Sequence, residues 1–178
     1  MAMKTGKGNN MKKETLDAIC GPLVGLKLLS VDRKHTYTEG DEITWEFRFV
    51  GGIVVWTYGP WRLIGNGRII MSSEADGFQV SHAESIDAAQ RVLTETANSR
   101  VVAASISANT GDLVIEFGGH VQLELLQISC LWQAWELLVQ DQRYVCTGDG
   151  RIAKVVRLTD KVYRNELIEE DSDENARI

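Results

Sequence analysis

Residues 43–58 read ITWEFRFVGGIVVWTY, and their alternation decides the fold class. Ile43, Trp45, Phe47 and Phe49 fall on one face of an extended chain, with Thr44, Glu46 and Arg48 on the other. A period of two over seven residues is the mark of a half-buried strand. Gly51-Gly52 interrupts the run, and Ile53–Tyr58 resumes it, so the pair predicts a hairpin. Further on, Trp61–Ile64 and Arg68–Met71 flank Gly65-Asn66-Gly67. Asn-Gly between β-rich runs is a strong hairpin signal, because both residues tolerate a positive φ.

The pattern returns later in the chain. Leu113, Ile115 and Phe117 alternate with Val114 and Glu116, Gly118-Gly119 turns, and Val121, Leu123 and Leu125 alternate with Gln122 and Glu124. In the first half, strand, Gly-Gly, strand are followed by Trp61-Arg62-Leu63 and Gly67-Arg68-Ile69; in the second, by Trp135-Glu136-Leu137 and Gly150-Arg151-Ile152. This echo predicts two similar antiparallel meanders. Leu23–Val31, Arg100–Ala108, Leu131–Val139, Tyr144–Thr147 and Arg151–Leu158 read as further strands, and Asp32–Asp41 as a polar loop. Residues 14–20 allow one or two helical turns before Gly21-Pro22 stops them. Ser85 looks like an N-cap, and Ile86, Ala89, Val92, Leu93 and Thr96-Ala97 follow at helical spacing, predicting one long helix over about 85–98. The expected fold is α+β: mostly antiparallel β meanders in two similar halves, with that helix on one side.

The chain has 178 residues, 44% hydrophobic and 25% charged, which fits one globular domain and excludes collagen, coiled-coil rods and wholly disordered chains. The expected organisation is a flexible tail over 1–12, a single α+β domain over 13–164 and an acidic disordered tail over 165–178. No apolar leader follows the N-terminal lysines and no run reaches about 18 apolar residues, so a cytoplasmic protein with no membrane contact is expected. Cys20, Cys130 and Cys146 are odd in number and lack CxxC spacing, which points to reduced, buried thiols. The formal net charge is −6, and the body between the two ends stays acidic. Nucleic-acid binders show a basic face. An acidic body instead suits a protein partner with a basic face.

Reactive motifs are sparse. His35, His82 and His120 are scattered, so no metal is expected. No GxSxG occurs, and Cys130 beside Trp132 sits in an apolar stretch that disfavours a thiolate. The glycine turns join strand to strand rather than strand to helix, so no phosphate cradle and no cofactor are expected. Glu116 and Glu124 lie on the polar faces of adjacent strands, either as the wet side of a sheet or as an acid–base pair; Asp76 and His82 form a second such pair. Among five tryptophans, Trp45 and Trp135 read as core, while Trp56, Tyr58 and Trp61 gather around Gly59-Pro60, as core or as anchors for a partner. The connection over 72–85 is long and polar, and long loops on rigid scaffolds tend to carry function. The expected partner-binding set is Tyr58, Trp61, Glu74, Asp76, Gln79, His82 and Glu84.

The stretches EFRFVGGIVVWTYGPWRLIGNGRIIMSSEADG (46–77) and GDLVIEFGGHVQLELLQISCLWQAWEL (111–137) resemble a group of small bacterial proteins akin to immunity proteins of polymorphic toxin systems. Leu131-Trp132 departs from a tyrosine-glutamate pair expected there. The resemblance implies a cytoplasmic, non-catalytic protein. The expected function is therefore a protein-binding module of the immunity type that inhibits a bacterial toxin. The alternatives are a small adaptor subunit of a larger bacterial assembly and a hydrolase using an acidic pair.

Overall fold

The computed structural model describes residues 13–36, 42–79, 84–129, 131–159 and 162–167. Helix α1 (Lys13–Cys20) buries Leu16, Ile19 and Cys20, a spacing of three and four that gives one apolar face. A 3-10 turn at Gly21–Leu23 follows, with the proline in its first turn where no donor is lost. Twelve antiparallel strands and one further helix, α2 (Ala88–Thr96), complete the described chain. The strands are β1 (Leu28–Thr36), β2 (Glu42–Phe49), β3 (Val54–Thr57), β4 (Trp61–Gly65), β5 (Arg68–Ser72) and β6 (Val101–Ile106). They continue as β7 (Leu113–Phe117), β8 (Val121–Leu125), β9 (Trp135–Val139), β10 (Gln142–Cys146), β11 (Ile152–Thr159) and β12 (Val162–Leu167).

Seven strands form one sheet in the order β1-β2-β3-β9-β10-β11-β12, and five form the other in the order β5-β4-β8-β7-β6. The chain passes from the first sheet to the second at residues 58–60 and returns at 126–134. Inward-facing Trp45, Phe47, Val55, Trp135 and Leu137 of the first sheet share one core with Trp61, Leu63, Ile115 and Leu123 of the second. The period-two pattern of β4, β7 and β8 appears directly as alternating buried and partly exposed positions.

Two halves are legible in the pairing. Exchanging α1-β1-β2-β3-β4-β5 for α2-β6-β7-β8-β9-β10 leaves the pattern unchanged: β3 pairs β9 as β8 pairs β4, and α2 packs on β1 as α1 packs on β6. Register obeys the same exchange. Thr57 lies opposite Trp135, as Leu125 lies opposite Trp61. A bulge in β1 between Leu28 and Ser30 is matched by one in β6 between Val101 and Ala103, opposite Phe49 and Phe117 respectively. Each half interlocks with the other, because its fourth and fifth strands belong to the sheet begun by its counterpart. The predicted echo of two similar meanders is therefore a feature of the fold, with one correction. The partner of the Asn66-Gly67 turn is Gln140-Asp141 between β9 and β10, not Gly150-Arg151. Asn66 and Gly67 have φ of 50° and 73°, and Gln140 and Asp141 have 48° and 64°. Such left-handed pairs match the right-handed twist of a two-residue hairpin.

Other expectations are also corrected. The helix expected over 85–98 is nine residues long and begins at Ala88. Asp87, not Ser85, caps it, its carboxylate accepting the Gln90 amide at 2.8 Å. Residue 86 is withheld from the helix because Ile86 N donates to Phe78 O at 2.9 Å while Gly77 N donates to Ile86 O at 2.8 Å. Strand β1 runs through the segment read as a polar loop, since Asp32 to Thr36 pair along β2 from Glu46 to Glu42. Strand β9 starts only at Trp135, not Leu131, and β12 reaches Leu167, past the expected domain end at 164. The expected tail over 1–12 and, of the expected tail over 165–178, residues 168–178 lie outside the described residues. No described helix is long and apolar enough to cross a membrane.

Candidate functional site

The two sheet-to-sheet crossovers run side by side. Tyr58 N and Gly59 N both donate to Ala134 O, at 2.8 and 3.2 Å, and Leu126 N donates to Pro60 O at 3.0 Å. Between them opens a cleft of about 580 Å³, with Tyr58, Gly59 and Pro60 on one side, Ile128 and Trp132 on the other, and Glu136 at its base. The described residues of the wall over 126–134 have no regular structure, yet they are pinned. Gln127 N donates to the Asp112 carboxylate at 2.6 Å, and Gln127 Nε2 donates to Ser129 O and Thr147 O at 2.8 and 2.7 Å. Ser129 Oγ accepts the amides of Leu131 and Trp132, both at 3.2 Å, a serine turn that pins this stretch of backbone. Ile128, Leu131 and Trp132 are 73%, 79% and 69% exposed. Large apolar side chains grouped on one exposed segment mark interaction surfaces, whereas scattered ones do not.

Glu136 is 4% exposed. It accepts from Tyr58 Oη at 3.1 Å and from Gln133 Nε2, and it is ion-paired with Arg143. Burial pushes the Tyr58 phenol up to about 12, and the negative charge and hydrogen bond of Glu136 act the same way against the opposing Arg143. The phenol is thus held protonated as a donor to Glu136, while Arg143 also hydrogen-bonds to its oxygen. Arg143 also lies over the Trp56 ring at 5.8 Å, and Trp56 Nε1 donates to Glu46 at 2.7 Å. Glu46, Trp56 and Glu136 are cross-strand neighbours on β2, β3 and β9. Glu46, 2% exposed, further accepts from Lys34 at 2.8 Å and Arg48 at 2.7 Å. Burial raises its pKa, but the hydrogen bonds from Lys34, Trp56 and Arg48 outweigh this and hold the carboxyl below its ordinary value. One polar network therefore runs from Lys34 across the sheet to the base of the cleft, and its two carboxylates are filled by donors from their own chain.

The residues expected to bind a partner are dispersed by the fold. Tyr58 lines the cleft. Trp61 is 1% exposed and lies edge-on to Trp45 and Phe47 with ring centroids 5.0 and 5.7 Å away, so its role as a surface anchor is corrected to core packing. Asp76 is structural: one carboxylate oxygen accepts Ala88 N at 2.9 Å, and the other pairs with Arg33 at 2.7 Å. Glu74, Gln79 and Glu84 are exposed on the same connection, and His82 lies outside the described residues. Glu116 does not face Glu124. It lies opposite Gln122, while Glu124 lies opposite Val114 and is engaged by Arg62 and Gln122. Burial, with Asp17 at Cys20 and with Asp112 and Asp149 at Cys146, pushes both thiols up to about 12, so neither is a nucleophile at neutral pH. Cys130 lies outside the described residues. Among the described residues no group of three or more His, Cys, Asp or Glu side chains is placed to hold a metal ion.

Sequence reading missed Ile128, Leu131, Trp132 and Glu136. Apolar character alone had assigned Leu131 and Trp132 to a strand. The usable signal was spacing: the strand-to-tryptophan step is Thr57 to Trp61 in one half and Leu125 to Trp135 in the other. No family model, no curated protein and no solved structure matches the chain.

Proposed function

We propose that this chain is a non-catalytic protein-binding module that acts in the cytoplasm by occluding a partner, in the manner of an immunity-type inhibitor of a bacterial toxin. The observation that carries the reading is the exposed apolar group Ile128, Leu131 and Trp132 on a pinned segment beside an open cleft. Aromatic anchors on a rigid support are what tight protein interfaces use. The polar groups at the base of the cleft support the same reading. Glu136 is engaged by Tyr58, Gln133 and Arg143, an arrangement that positions side chains rather than leaving one poised to react. Occlusion needs only shape and charge complementarity, and the net charge of −6 favours a basic partner. The test is co-expression with the product of a neighbouring gene that arrests growth. The expected result is relief of the arrest and co-elution of the two chains. Relief without a stable complex, or no relief with any neighbour, rejects the reading.

A further inference from the structure

The two halves match strand for strand from β1 to β5 and from β6 to β10, but they differ at the two places that build the cleft. The crossover at 58–60 takes three residues and the equivalent one at 126–134 takes nine, although both connect the same registers, Thr57 opposite Trp135 and Leu125 opposite Trp61. The β1–β2 ladder also outruns the β6–β7 ladder. Ile106 opposite Leu113 ends the second and corresponds to Arg33 opposite Trp45, beyond which Lys34, His35 and Thr36 still pair with Thr44, Ile43 and Glu42. Ile43 on that extra length lines the cleft together with Ile128 and Trp132 of the longer crossover. The position equivalent to Ile43 is Gly111, and there the corner is sealed: a Cβ would meet Gly150 O at 2.6 Å and Cys146 Sγ at 2.7 Å. Of two equivalent corners, one is closed by its own turns and the other is opened by residues that the scaffold does not require.

We infer that this cleft and the exposed side chains of Ile128, Leu131 and Trp132 form one docking surface for an uncharged, apolar segment of a partner protein. This rests on the protein-binding reading above and names the surface and the chemistry of the segment it takes. Charge decides against an ionic occupant. Among the described residues the one charged group in the lining is Glu136, which is buried, ion-paired with Arg143 and a hydrogen-bond acceptor from Tyr58 and Gln133. Ser129 Oγ is taken by the amides of Leu131 and Trp132. A charge entering the cleft would lose water and find its counter-charges already engaged. What the surface holds in excess is apolar area, from Ile43, Pro60, Leu126 and Ile128 in the walls to Leu131 and Trp132 beside them. Extent decides between a small ligand and a chain. The cleft of about 580 Å³ would hold a small molecule, but Leu131 lies outside its lining and would stay in water. An occupant that covers Leu131 together with the cleft continues past the mouth, as a chain segment does. The net charge of −6 works against a second copy of the same chain and against an anionic lipid surface.

The test pans a random-peptide display library on the full chain and measures the winners on the wild type, Trp132→Ala and Leu131→Ser. The expected winners share a run of aliphatic or aromatic residues with no required charge. Their affinity should change less than about threefold between about 0.05 and 0.5 M salt, since no ion pair is formed. They should bind Trp132→Ala about tenfold or more weakly, the loss typical of an aromatic anchor, and Leu131→Ser about threefold or more weakly. Both changes fall on exposed side chains and should keep the wild-type unfolding midpoint. Trp132→Phe, which keeps a ring, should bind within about threefold of wild type, so the anchor is tested even where alanine perturbs the fold. Winners that require Arg, Lys, Asp or Glu or that weaken steeply with salt overturn the inference, as do winners indifferent to both variants, or no winners. Winners weakened by Trp132→Ala and not by Leu131→Ser confine the occupant to the cleft and reject a chain segment. A concentration-dependent dimer abolished by Trp132→Ala seats a second copy there instead, and flotation with anionic vesicles abolished by the same change seats a lipid; either overturns the inference. If Trp132→Ala and Leu131→Ser chains still relieve growth arrest and co-elute with the neighbour-encoded protein, the protein-binding function stands and this surface alone is rejected.

Discussion

The crossover at 58–60 and the crossover at 126–134 solve one geometric problem at different lengths. The short one is committed to the fold: its backbone bonds to Ala134 O and Leu126 N, and a side chain at Gly59 would meet Leu126 O at 3.0 Å. The long one meets the same requirement with its ends, and spends its middle on side chains that face water. The difference separates residues that the fold needs from residues that the fold carries. It also separates tryptophans that look alike in sequence. Trp61 and Trp135 open equivalent strands and are buried, whereas Trp132 stands three residues from Trp135 and is exposed.

That contrast predicts the largest effect. Trp61→Ala should cost about 3–5 kcal/mol in urea unfolding, because a large buried ring leaves a cavity. Trp132→Ala should stay within about 0.5 kcal/mol, as surface changes usually do. A comparable loss at Trp132 would make the long crossover a packing element and break the comparison. Phenylalanine sharpens it within the core. Trp135 Nε1 donates to Gly111 O at 2.8 Å, while Trp61 Nε1 is buried without a partner. Trp135→Phe should therefore cost more than Trp61→Phe, since only the former orphans an acceptor.

The next effect compares the polar faces of the two sheets. Glu46 carries a carboxyl held below its ordinary 4.5, so the folded chain binds fewer protons than the unfolded one around that pH. The stability it contributes is complete above that ordinary value and is lost as pH falls through the lower folded value. Glu46→Gln should destabilise by about 1–3 kcal/mol near neutral pH, by weakening charge-assisted bonds from Lys34 and Arg48. It should also flatten the fall of the urea midpoint below about pH 4.5. The place equivalent to Glu46 in the five-stranded sheet is Val114, opposite Glu124. Replacing Val114 should leave the acid limb unchanged, and an equal change there would refute the assignment.

The last comparison separates the two equivalent turns. Gly67→Val should cost about 1–3 kcal/mol, because a β-branched residue tolerates φ of 73° poorly. Asp141→Gly, at φ 64°, should stabilise by about 0.5–1 kcal/mol by removing a left-handed penalty that the first half avoids. Thermal midpoints moving in opposite directions would confirm that one turn type is built from two different sequences.

Much of this molecule is determined locally and so can be read from the chain. The alternation of Trp45, Phe47 and Phe49, the Asn66-Gly67 turn and the echo of strand, Gly-Gly, strand each rest on neighbours within a few residues, where the pleat and the allowed φ act directly. Tertiary structure decided the rest. Nothing local indicates that β3 pairs with β9 rather than β4, because strand edges are chemically alike and the choice is made by which apolar faces close into one core. Nothing local separates Trp132 from Trp135, or marks Gly111, where a Cβ would lie 2.6 Å from Gly150 O and 2.7 Å from Cys146 Sγ. Burial and close approach belong to residues brought together from distant parts of the chain, and the cleft exists only where two such crossovers meet.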